Sequence, residues 1–147
     1  MLTEVQVLQS VAAHLAQAGF KVQQLSGTSE RGTDLIAVSP DGGWTLVVEG
    51  KGETTSKPGS NRYGKPFGSS QVFTHIAKAF FSTAAAVSGE QEGPIRAAMA
   101  LPNTMTHGKY LRKVEVAIRR LGIGVFLVSP DRTVQEFIPI ALDGDFA

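Results

Sequence analysis

Asp34, Glu49 and Lys51 have the types and spacing to do chemistry together. The apolar run Leu46-Val47-Val48 leads directly into Glu49-Gly50-Lys51. Charged side chains are seldom buried unless they are paired or coordinate a metal. Side chains alternate along a strand, so Glu49 and Lys51 share a face. Pro40-Asp41-Gly42-Gly43 separates the strand-like segments TDLIAVS and WTLVVEGK and reads as a hairpin turn. In such a hairpin the start of the first strand lies beside the end of the second, which brings Asp34 next to residues 49–51. Two carboxylates there can share a hard cation such as Mg²⁺ that keeps several waters. A lysine beside them can position a water and offset charge developing on a phosphate. The plainer alternative is a solvated strand end. Glu49 and Lys51 would then be a surface pair of little energetic weight, and Asp34 would cap a turn after Gly32.

The elements that must position these residues are legible around them. TEVQVLQSVAAHLAQAGF reads as an opening helix, with Val5, Leu8, Val11, Ala12 and Leu15 at helical spacing and Gly19 as its stop. Thr3 and Gln6 have the form of a capping box. FKVQQL, residues 20–25, alternates like a strand and precedes the hairpin. Residues 52–70 form a long polar loop rich in Gly, Ser and Pro, and loops of that length inside a domain are usually functional or disordered. A helix follows over QVFTHIAKAFFSTAAAVS, capped by Ser69 or Ser70 and stopped at Gly89. Then come a strand PIRAAMALP, a helix over about 108–121, a strand IGVFLVS and a short edge strand TVQEFIPI. The expected order is α-β-β-β-α-β-α-β(-β), an α/β sandwich around a mixed sheet.

Composition narrows the class. The chain of 147 residues fits one domain spanning 1–147 with a real core. A hydrophobic share of 42% and a charged share of 18% are those of an ordinary globule. With no cysteine, a disulfide framework and a thiolate zinc site are both excluded. The start MLTEVQVLQS lacks the pattern of a signal peptide, and no stretch is apolar enough for a membrane helix. The expectation is a cytoplasmic protein. A net charge of +1 says nothing about nucleic acid, so that evidence must come from local clusters. Two exist. The loop holds Lys57, Arg62 and Lys65 around Tyr63 against Glu53, and the later helix carries Lys109, Arg112, Lys113, Arg119 and Arg120 against Glu115. Such local positive charge suits a nucleic-acid backbone, and a tyrosine can stack on a base. The loop, adjacent to Lys51, is the expected contact; the helix reads as a solvated face.

Gly32-Thr33-Asp34, with Glu49, Gly50 and Lys51 after it, resembles the signature of the PD-(D/E)xK nuclease superfamily. The α-β-β-β-α-β order is similar to that superfamily's restriction-endonuclease-like core, over roughly residues 4–101, with a C-terminal α-β extension. Within it the pattern resembles Holliday-junction resolvases and Mrr-like restriction nucleases, which also run from a helix through a Gly-Phe pair into a D…ExK hairpin. Threonine stands where the family name has proline.

The resemblance implies a Mg²⁺- or Mn²⁺-dependent nuclease cleaving phosphodiester bonds, expected to act on DNA in repair, recombination or restriction and to leave 5′-phosphate ends. Asp34 and Glu49 would hold the cation with the Gly50 carbonyl, and Lys51 would orient the attacking water. Glu4 corresponds to a first-helix glutamate that reaches the metal in the resolvases. Its helical spacing with Leu8, Val11 and Leu15 points it toward the core side, although an acid in a first helical turn is also favoured by the helix dipole. Gln71 matches a glutamine in several branches that is followed four residues later by tyrosine, where this chain has His75. His75 is assigned to nucleic-acid contact. Lys78 and Ser82, on the same polar stripe opposite Phe73, Ile76, Phe80 and Ala84, read as solvent face, and His14 and His107 read as surface residues. So small a chain would cut both strands of a duplex as a homodimer. The competing readings are a catalytically inactive nucleic-acid-binding or assembly subunit, and an unrelated α/β domain whose loop binds a protein.

Overall fold

The structure, a computed structural model, describes residues 1–26, 34–55, 59, 61, 63–89 and 93–140. Its elements are α1 (Glu4–Gln17), β1 (Lys21–Leu25), β2 (Leu35–Val38), β3 (Thr45–Gly50), α2 (Ser69–Ser88), β4 (Ile95–Pro102), α3 (Met105–Arg120), β5 (Gly124–Val128) and β6 (Val134–Ile138). The order is the one the sequence leads one to expect. The strands form one mixed sheet in chain order, β1-β2-β3-β4-β5-β6. β1, β2 and β3 are a meander of antiparallel pairs, β3-β4 and β4-β5 are parallel, and β6 returns antiparallel.

Parallel neighbours need a crossover, and α2 and α3 supply the two required. Right-handed crossovers made twice in the same direction place both helices on one face. There α2 and α3 pack with Val72, Ile76, Ala79, Leu111 and Ile118 against Met99, Leu101, Val125 and Leu127. The opposite face is covered by α1, whose Val7, Leu8, Val11 and Leu15 meet Leu35, Ala37, Leu46 and Val48. β4 is buried at every position from Arg96 to Pro102, as a central strand covered on both faces must be. β1 is exposed along its whole length and forms one sheet edge.

Thr3 caps α1 as expected, its hydroxyl accepting from Gln6 N while Gln6 Oε1 accepts from Thr3 N. α2 starts earlier than its apolar pattern suggests. Gly68 is its N-cap, not Ser69 or Ser70, and Gln71 Oε1 accepts from Gly68 N at 3.4 Å. α3 also begins earlier, because Thr104 caps it through His107 N. Among the described residues no helix is long and apolar enough to cross a membrane.

Candidate active site

The hairpin register decides where the acids fall. Leu35 pairs with Val48 and Ile36 with Val47. One step further along the same register sets Asp34 opposite Glu49. Directly opposed residues of an antiparallel pair point to the same face, so the two carboxylates share a side. Asp34 is buried, and its Oδ2 accepts from Gly50 N at 3.0 Å. Glu49 and Lys51 alternate with the buried Val48 and Gly50, which face α1. They therefore turn toward α2, where Glu49 lines a hollow with Phe81 and Thr83, and Lys51 one with Phe73 and Lys78.

Glu4 enters from the other layer. The segment leaving β3 runs alongside the start of the chain, with Thr3 bridging Thr54 and Glu53 N donating to Leu2 O. The first turn of α1 therefore stands at the end of the hairpin, and Glu4 hydrogen-bonds Asp34. Two glycines permit this. A Cβ on Gly50 would lie 2.6 Å from Leu8 Cδ2, and one on Gly52 would lie 2.4 Å from Glu4 N. Gly50 thus has a packing duty against α1, beyond the carbonyl role implied by the resemblance. Gly52 is a position whose importance the sequence reading missed; the alternating Gly-Lys-Gly was its only signal.

The cluster is electrostatically tense. Burial, then repulsion from Asp34, pushes Glu4 up to about 7 despite the opposing pull of Lys51. Burial and Asp34 likewise push Glu49 up to about 7, again against Lys51. Asp34 is raised by burial, while the Gly50 amide, Lys51 and Glu4 hold it down. Glu4, raised to about 7, is the carboxyl of this pair that a hydrogen bond to Asp34 helps to keep protonated. Among the described residues no group of three or more His, Asp or Glu side chains is arranged to hold a metal ion as it stands. The donor chemistry nonetheless suits a hard cation: Asp34 and Glu49 are oxygen donors, and Mg²⁺ is commonly held by one or two carboxylates with waters.

This tension predicts a pH signature. For Glu4 and Glu49 the folded pKa lies above the unfolded value, so their contribution to stability is complete below about 4.5 and is lost as pH rises through about 7. After discounting for partial exposure, the pair should cost the metal-free protein about 2 kcal/mol between acid and mildly alkaline pH. Buried neutral histidines act in the opposite sense. Burial and His75 lower His107 to about 4, so its contribution is lost as pH falls from 6.5 toward 4. The carboxylate effect is therefore read as the difference between wild type and a Glu4→Gln/Glu49→Gln variant, by thermal melts in chelator. An equal pH dependence in both would refute it.

The residues around the cluster divide. Gln71 is half-buried and caps α2. His75 is half-buried, its ring edge-on to Phe67 with centroids 4.8 Å apart, and burial followed by Lys51 and Lys78 lowers its pKa. Of the two residues read as solvent face, Lys78 is exposed and Ser82 is half-buried; Gln71, His75 and Ser82 flank the buried Val72, Ile76, Ala79 and Thr83, whereas Phe73 is exposed. The buried stripe lies about one residue from the expected apolar run, because Val72, Ile76 and Ala79 are the side chains of α2 that pack against β4, β5 and α3. His107 is not a surface residue either. It is 1% exposed, in the first turn of α3, with Nδ1 2.6 Å from the Thr104 hydroxyl. His14 is partly exposed and lies 3.2 Å from Glu136.

Tyr63 and Lys65 are exposed. Phe67 N donates to Glu53 O at 2.8 Å, which brings together the two ends of the loop that carries them. Lys57, Arg62, Gly32 and Thr33 lie outside the described residues. On α3, Lys109 and Arg112 line a groove of about 740 Å³ whose lining contains no acid.

Among family models, curated proteins and solved structures, none matches the chain. The site therefore rests on its own geometry.

Proposed function

We propose that the chain is a metal-dependent nuclease with a restriction-endonuclease-like core, extended by α3, β5 and β6. The observation that carries this reading is the coupling of Glu4, Asp34, Glu49 and Lys51 where β2 and β3 meet the first turn of α1. Asp34 and Glu49, with the Gly50 carbonyl, would hold Mg²⁺ or Mn²⁺, which supplies Lewis-acid stabilisation of charge on phosphate oxygens. Lys51 Nζ orients a water for in-line attack and offsets charge on the phosphate. The new P–O bond forms as the bond to the 3′ oxygen breaks, leaving a 5′-phosphate and a 3′-hydroxyl. Glu4, raised to about 7, can hold or release a proton near neutral pH. Gln71 supports the site through the N-terminus of α2, and Tyr63, His75 and Lys65 border the substrate; Lys57 and Arg62, expected from the sequence to join them, lie outside the described residues. DNA is the proposed substrate, and a homodimer the form that would cut a duplex.

The test is incubation of the pure protein with Mg²⁺ or Mn²⁺ and a panel of duplex, single-stranded, branched and RNA substrates. Cleavage that stops with chelator supports the reading. A second reading is a nucleic-acid-binding subunit without catalysis. Binding to members of the panel with no cleavage of any would establish it instead.

A further inference from the structure

The face of α2 beside Lys51 displays large apolar side chains that the core does not use. Phe73 is 56% and Phe81 76% exposed. Eight residues apart on one helix, they stand about 12 Å from each other along its axis. Between them lies a groove of about 470 Å³, lined by Lys51, Thr74, Ala77 and Lys78 as well as the two phenylalanines. The small Thr74 and Ala77 set a low floor, and the rings make its walls. The aromatic surface continues onto α3, where the Tyr110 ring lies 5.6 Å from that of Phe73. The ammonium groups of Lys109 and Lys113 are each 5.8 Å from the Tyr110 ring centre.

The two helices of this face carry an excess of positive charge, and the acid beside it is Glu49 of β3, which shares a hollow with Phe81. α2 carries Lys78 and no acid. The single acid of α3, Glu115, is bonded to Arg119 at 3.0 Å. Exposed rings set among lysines complement a chain that presents flat apolar bases and an anionic backbone together. A duplex hides its bases, whereas an unpaired strand offers them for stacking.

We propose that the α2 face binds an unpaired nucleic-acid segment, its bases stacked on Phe73 and Phe81 and its phosphates near Lys78, Lys109 and Lys113. The proposal rests on the nucleic-acid reading of the adjacent site and narrows it: the strand delivered to Lys51 is single-stranded where it crosses α2.

The experiment measures fluorescence anisotropy in chelator, with an oligothymidylate and with a blunt duplex of equal length. The proteins are wild type, Phe73→Ala/Phe81→Ala and Phe73→Leu/Phe81→Leu, each also examined by sedimentation velocity. Both variants should bind the oligothymidylate roughly tenfold to hundredfold more weakly, with duplex affinity and melting temperature unchanged. The leucine variant should not rescue binding, because it restores apolar area without a ring. Equal losses on both probes, or no loss, would overturn the proposal. So would a wild-type dimer that the alanine variant dissolves, since the face would then be a self-interface. If the duplex is bound and cleaved while oligothymidylate affinity ignores the rings, this proposal alone falls. If wild type binds neither probe, the nucleic-acid reading falls with it.

Discussion

Lys51→Ala should lower the rate of phosphodiester cleavage by about 10²- to 10³-fold, the scale of losing one preorganised group that stabilises developing charge. The same variant should keep most of its Mg²⁺ or Mn²⁺ affinity, because Lys51 contributes no ligand. Asp34→Asn should behave differently and lose cation binding and cleavage together. The asparagine side chain can still accept from the Gly50 amide, which Asp34 Oδ2 does at 3.0 Å. It no longer repels Glu4 and Glu49, for each of which Asp34 ranks next after burial in raising the pKa. The metal-free Asp34→Asn protein should therefore melt at or above the wild-type temperature. Calorimetric titration with the cation, steady-state cleavage and thermal melts separate these outcomes. Cleavage that survives Lys51→Ala would remove the lysine from the mechanism. Marked destabilisation by both variants would mark a structural ion cluster in place of a site.

Gly52→Ala should destabilise the protein by about 3 kcal/mol, a fall in Tm of roughly 10 °C. Its Cβ would lie 2.4 Å from Glu4 N, 2.7 Å from Thr3 C and 3.0 Å from Leu2 O. All three are backbone atoms, so no rotamer change relieves the contact and the start of α1 must move. That movement takes Glu4 away from Asp34, so the surviving folded fraction should also titrate without the raised glutamate. Gly108→Ala is the control with the opposite sign. Gly108 lies within α3 with nothing within 4 Å of an added Cβ. It should stabilise by about 0.5–1 kcal/mol through backbone entropy alone. Equal melting temperatures for Gly52→Ala and wild type would mean that α1 does not seat on the β3 exit as described.

The order of elements, the hairpin and the pairing of Asp34 with Glu49 were determined by local sequence. They follow from alternation in LVV and LIAV, from the turn at residues 40–43 and from the Thr3–Gln6 cap, each acting over a few residues. That Glu4 reaches Asp34 was only half legible: helical spacing set its face, but not what stood opposite. Tertiary structure supplied that, by laying residues 2–3 against 53–54 and fitting Leu8 over Gly50. The orientation of α2 was not legible either. QVFTHIAKAFFSTAAAV has apolar side chains around much of its circumference, so periodicity alone cannot choose the buried stripe. Packing against β4, β5 and α3 chooses it, burying Ile76 and Ala79 and leaving Phe73 and Phe81 in solvent. His107 followed the same logic. Thr104 starts α3 early enough to draw the ring beneath it, a placement set by packing between distant segments and carried by no motif.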